Sequence, residues 1–214
     1  VHHLQIVSRI HRGKPLGSEQ MKPLTEFNET SIYLDTMVPY IFLRGIDPAI
    51  KPFFARLERG EFTAYTSALT FDELAYRLLL ALIKDQYGGS PLNRYRDETA
   101  KMLEAFAPKV VSLLRDLRGF PYLIVLDVLV TDLNGMEDMM AQYQLAPRDA
   151  LHIATMQRAG CLAIASNDAY MDRIPHLQRF GLPMYPFKKP GEISEVCVEQ
   201  ENALDSNFGN FPKY

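Results

Sequence analysis

Five short runs of apolar and β-branched residues recur along the chain: "SIYL", "EFTAYTSAL", "YLIVLDVLV", "CLAIAS" and "PMYPF". Segments of helical texture separate them. A strand that reads as a nearly continuous apolar run is buried on both faces, and a helix between strands gives the chain length for a parallel crossover. The pattern predicts a three-layer α/β/α sandwich with a mainly parallel central sheet. In such a sheet ligands gather at the carboxyl ends of the strands, where the next helices begin.

The helices have legible ends. "TMVPYIFLRG" tolerates Pro39 in a first turn and offers Gly45 as a C-cap. A second helix is expected from Pro48 to Arg59, and "TFDELAYRLLLALIKDQY" makes a third, stopped by Gly88 and Gly89. A longer helix, bent at Pro108, is expected from about Arg94 to Leu117. Others follow at Leu133–Tyr143 and Pro147–Ala159, with a short one at Tyr170–Ile174. Residues 1–30 are polar and lack periodicity, so they read as an N-terminal extension or expression remnant, with Met21 a natural start. Residues 31–186 form the expected domain, and 187–214 a polar, Pro/Gly/Asn-rich tail.

Composition excludes several classes. No apolar run approaches the ~18 residues needed to cross a bilayer, and the N-terminus lacks a signal peptide's apolar segment, so no membrane association and a cytoplasmic location are expected. Cys161 and Cys197 give neither a disulfide framework nor a zinc spacing. A net charge of −3 argues against a dedicated nucleic-acid binder, but not against an enzyme that holds cations with carboxylates. Arg94, Arg96, Lys101, Lys109, Arg115 and Arg118 alternate with acids and read as a solvated helix face.

Four acids stand where strands give way to helices. Asp35 ends the first strand, Glu73 lies in the first turn after the second, Asp149 follows Pro147 at a helix start, and Asp168 follows "CLAIAS". Each has an ordinary explanation. Thr70 and Glu73 fit a capping box, Asp149 suits a helix N-terminus, and Asp35 and Asp168 are sound N-caps. In a parallel sheet, however, all of them fall on one edge. Two carboxylates ~5 Å apart repel by roughly 3 kcal/mol at an effective dielectric near 20. Convergence therefore demands a cation or a retained proton. Oxygen ligands without His or Cys select Mg²⁺ or Mn²⁺ over zinc, and such ions suit phosphodiester hydrolysis.

"SIYLDTMV", "TSALTFDEL", "LAPRDALHIATMQRAGCLAIASND" and "MDRI" resemble the successive motifs of PIN-domain ribonucleases, and among these the VapC-like toxins of toxin–antitoxin pairs. The resemblance covers about residues 31–186. It implies an endoribonuclease that binds Mg²⁺ or Mn²⁺ through Asp35, Glu73, Asp149 and Asp168, acts on RNA, and leaves 5′-phosphates. Thr36 and Ser166 match small polar residues that support the acids, and Asn167 lies beside the fourth. The resemblance further implies a homodimer, and an antitoxin segment that covers the acidic cleft and inserts an arginine. Met37 stands where a small polar residue is usual, and the stretch from Gly88 to Arg118 is longer than in compact toxins.

Other residues invite a role. Asp172 reads equally as an acid aligned with the cluster or as a surface partner for Arg173, and Arg148 is placed to meet a phosphate. His152, one turn beyond Asp149, reads as a packed core histidine, and Tyr33 and Tyr40 as core aromatics. The rival of another class is a PIN-like module that binds RNA or protein without cutting. An aspartyl phosphatase would want a second Asp two residues after Asp35, and no Gly-rich turn follows the first strand as a dinucleotide site requires.

Overall fold

The computed structural model describes residues 21–182. Six strands, β1 (Lys22–Pro23), β2 (Ser31–Leu34), β3 (Thr63–Ser67), β4 (Leu123–Leu126), β5 (Ala163–Ala165) and β6 (Gln178–Gly181), lie in the order β1-β6-β5-β2-β3-β4. Every neighbouring pair is parallel. The helices between them are α1 (Met37–Arg44), α2 (Lys51–Glu58), α3 (Ala68–Tyr87), α4 (Pro91–Asp97), α5 (Thr99–Arg118), α6 (Asp132–Tyr143) and α7 (Pro147–Arg158).

The pleat of the central strands sorts side chains into two cores. Ile32 and Leu34 of β2, with Ala163 and Ala165 of β5, join the core covered by α1, α2, α3 and α5. Tyr33 and Ile164, one residue out of phase, join a smaller core with Ala150, Ile153 and Met156 of α7. Two apolar faces need two helical layers, so the α/β/α sandwich expected from the sequence is the fold. From β2 the chain winds outward through β3 to β4; α6 and α7 then carry it back to β5, on the other side of β2. The strand order reverses between β2 and β5, which opens a crevice above their carboxyl ends.

Several elements differ from expectation. Residues 22–27, assigned to the extension, supply β1 and the fully buried Leu24 and Phe27. Phe27 meets the rings of Phe53, Phe62 and Phe180 edge-on. The expected strand at "PMYPF" lies outside the described residues; the last described strand is "QRFG", whose mixed polarity gives no alternation to read. The long helix breaks at Glu98 (φ −129°, ψ 40°) and not at Pro108, which lies inside α5. Ser90 and Pro91 start α4 independently, the Ser90 hydroxyl accepting from the Asn93 amide. Only the first part of "YLIVLDVLV" is strand. Beyond it the Leu129 amide donates to the Asp132 carboxylate, and Arg158 takes the Asp127 carbonyl, so these groups leave the ladder. The helix expected at Pro48–Arg59 opens as a 3-10 turn over Pro48–Ile50 before α2. Among the described residues no helix is long and apolar enough to cross a membrane.

Candidate active site

Buried polar side chains concentrate at the carboxyl edge of the sheet. Among the described residues, all of them except Asp132 and Thr155 lie there: Thr36, Thr66, Ser67, Thr70, His152 and Ser166. A buried polar group is tolerated only when hydrogen-bonded, so their partners reveal what the edge is built to hold.

Two of those partners are carboxylates. Asp35, just past β2, accepts from the Thr36 amide at 2.6 Å and from the Ser166 hydroxyl at 2.7 Å. The same Ser166 oxygen accepts from the Asp168 amide at 3.1 Å, which ties the ends of β2 and β5 together across the crevice. Glu73 accepts from the Thr36 hydroxyl at 2.5 Å, and its carboxylate stands 3.4 Å from His152 Nε2 and 3.3 Å from Arg148 Nη1. Beneath it, the Tyr33 hydroxyl lies 2.7 Å from His152 Nδ1 and donates to Ser67 at 2.8 Å. One connected network thus runs from Asp168 to Ser67 through two acids.

The capping assignments change accordingly. Ser67 caps α3, in a reciprocal pair with Thr70, so the helix begins earlier than "TFDEL" suggested. Glu73 is therefore in its second turn and is released from capping. Asp35 caps no helix with its side chain. Asp168 does cap, accepting from the Tyr170 amide at the 3-10 turn Ala169–Arg173.

Electrostatics brings in the fourth acid. Burial pushes the Asp149 carboxyl up to about 6, and the charges of Asp168, Asp35 and Glu73 push in the same direction, against His152. Glu73 goes the other way. Burial works to raise it, but hydrogen bonds from His152 and Thr36, with Arg148 nearby, hold it at about 2. Burial also raises the Tyr33 hydroxyl well above the usual tyrosine range.

The remaining residues have structural partners. Asp172 pairs with Arg179 at 2.6 and 2.7 Å, while Arg173 reaches the carbonyls of Tyr143 and Gln144. Arg179, whose side chain is 8% exposed, also donates to the Ser166 carbonyl, so it steadies the end of β5. The Asn167 side chain accepts from the Leu182 amide, against Gly181, where a Cβ would lie 2.6 Å from the Asn167 oxygen. His152 is buried as a core residue would be, yet it also positions Glu73; its spacing from Asp149 gave no hint of that partner.

Among the described residues no three His, Cys, Asp or Glu side chains converge closely enough to hold a metal ion. The acids share a neighbourhood without forming a chelate. Glu73 is engaged by Thr36, His152 and Arg148. The donor set still fits a hard divalent ion, since it offers only carboxylate oxygens.

The fold is thus an all-parallel α/β/α sandwich with acids gathered at the carboxyl edge of its central strands. Residues 32–177 match the model of the PIN domain, and the chain belongs to that family. It is similar to the structure of VapBC2 from Rickettsia felis bound to a DNA fragment from their promoter (TM-score 0.51, 13% identity, covering 71% of this chain and 98% of that one). Lower similarity is found to the sarcin–ricin loop cleaving toxin VapC20 of Mycobacterium tuberculosis (0.42, 14%, 65% and 92%). The same holds for FitAcB from Neisseria gonorrhoeae (0.37, 16%, 71% and 96%). No curated protein matches the chain.

Proposed function

We propose that the chain is a Mg²⁺- or Mn²⁺-dependent endoribonuclease. The observation that carries this reading is that Asp35, Glu73, Asp149 and Asp168, from four separate parts of the chain, meet at one sheet edge, where hydrogen bonds link the first, second and fourth and where burial, then the charges of the other three, raise the Asp149 carboxyl. Such repulsion is useful to a protein that binds a cation there and useless to one that does not. Asp35, Glu73, Asp149 and Asp168 would hold the ion, which when bound supplies an activated water and charge neutralisation at the departing oxygen. Ser166 and Thr36 fix the orientation of the Asp35 and Glu73 carboxylates, and His152 holds Glu73 from beneath. Arg148, exposed beside Glu73, would meet a substrate phosphate.

RNA incubated with the purified protein should be cut in Mg²⁺ or Mn²⁺, left intact in EDTA, and left intact by Asp149→Asn. Undiminished cleavage by that variant, with contaminants excluded, rejects the mechanism.

The family relationship and the VapBC2 likeness support a toxin role, with an antitoxin segment as the partner that covers the crevice. A second copy of the chain is the other partner we assign. Strand β4 has β3 as its only neighbour among the described residues, and Tyr122, Ile124, Leu129, Val130 and Leu133 are exposed on and beside it.

A further inference from the structure

A cleft of about 340 Å³ opens beside Glu73, lined by Asp72, Glu73, Tyr76, Arg77 and Arg148. Four of these residues lie on α3 at spacings of three and four, which places them on one strip of the helix. Arg148 reaches across from α7. The nuclease reading accounts for Glu73 and Arg148 and leaves the other three unexplained.

Tyr76 is the feature that asks for a ligand. Its side chain is 45% exposed, and the one ring that meets it among the described residues, Tyr95, does so edge-on at 6.1 Å and 78°. Tyr95 belongs to α4, between α3 and α5. An aromatic ring held in place yet left unstacked is a platform for a flat partner. Arg77, its Nη1 2.7 Å from Met37 Sδ, and Arg148 add two guanidinium groups to the same cleft. Asp72 repels phosphate but accepts from the N–H groups of a base edge. Aromatic ring, base-edge acceptor and phosphate-binding cations together match a nucleotide.

We propose that this cleft is a subsite for one unpaired nucleotide of the RNA, its base stacked on Tyr76 and its phosphate met by Arg77 and Arg148. The assignment rests on the nuclease reading for its register. Tyr76 lies one helical turn from Glu73, ~5–6 Å between Cβ atoms, about one nucleotide step from the acidic crevice. A base already stacked in a duplex cannot also lie on Tyr76, so the subsite selects single strands.

Binding can be measured without cleavage. The full chain carrying Asp149→Asn, in Mg²⁺, would be titrated into a labelled single-stranded RNA decamer and into the same sequence as a duplex, with anisotropy as the readout. Adding Tyr76→Ala should weaken single-strand binding about 5- to 100-fold, whereas Tyr76→Phe, which keeps the ring, should stay within about 2-fold of its parent. Duplex affinity should not move with Tyr76→Ala, and Arg77→Gln should weaken both RNAs. Unchanged single-strand affinity in Tyr76→Ala, an equal loss in Tyr76→Phe, or an equal loss on duplex would overturn the proposal. If wild-type protein fails to cut RNA but this binding pattern appears, the subsite stands and the nuclease reading falls.

Discussion

Burial and the neighbouring acids hold the ionised form of Asp149 at a disadvantage. A folded-state value of about 6, raised from 3.8, means the native protein binds a proton that the unfolded chain has released. Native stability from this group is therefore fully present below about pH 4 and is lost as pH rises through 6. The shift corresponds to roughly 3 kcal/mol before solvent screening, and for a partly exposed group to about 1–2 kcal/mol. Asp149→Asn in EDTA at pH 7.5 should be more stable than wild type by that amount, and its stability should fall less between pH 4 and 6. Urea titrations across pH check both; a variant less stable than wild type would mean that the ionised carboxylate is not disfavoured at this position. Glu73 behaves oppositely, because its lowered value contributes stability that is present above about pH 4.5 and lost only as pH falls through about 2. The position of the four acids at one sheet edge was legible in the sequence because strand ends and helix starts are. The supports were legible only in part. Thr36 adjoins Asp35 and Ser166 stands two residues before Asp168, whereas Tyr33, Ser67 and His152 reach Glu73 only through the packing of α7 against β2 and β3.

At the scale of elements, the link between α6 and α7 is the strongest local dependency. The buried Asp132 carboxylate accepts from Arg158 Nε at 2.6 Å, from Thr155 at 3.3 Å and from the Leu129 amide at 2.9 Å. Burial works to raise its carboxyl, but Arg158 and the amide win and lower it. Its contribution is present above the ordinary aspartate range and lost in more acidic solution. Gly135 brings the two helices close, since a Cβ there would lie 3.0 Å from that of Ala154. Asp132→Ala strands these donors and should cost about 2–4 kcal/mol in urea unfolding; a loss below about 0.5 kcal/mol would show that the clamp is dispensable. Because α7 carries Arg148, Asp149 and His152, the clamp also fixes one wall of the crevice. This explains why element types were readable and several boundaries were not. Periodicity marks a helix, but Ser67, Glu98 and Asp132 set the ends through side-chain and backbone geometry that spacing does not encode.

Across the whole molecule, the sheet leaves one apolar margin uncovered among the described residues. Val130 is 83% exposed and Tyr122 is 56% exposed, beside Ile124 and Leu129. Unprotected strand edges invite pairing with another chain, so sedimentation at micromolar concentration should show a dimer that Ile124→Lys with Val130→Asp dissociates into folded monomers. A dimer unaffected by that pair of changes would place self-association elsewhere. The topology was readable from the alternation of strands and helices, but β1 and β6 were not, since β1 is two residues long and is held only by β6, and the mixed polarity of β6 gives no pattern to read. That pairing bears on biosynthesis. A ribosome releases β2, β3 and β4 long before β5 and β6, and with them Asp168, just past β5, and Arg179 of β6. Until they emerge, the nascent polypeptide exposes an incomplete sheet with β2 unpaired on one side, and the carboxyl-edge network through Ser166 can close only after β5 is released.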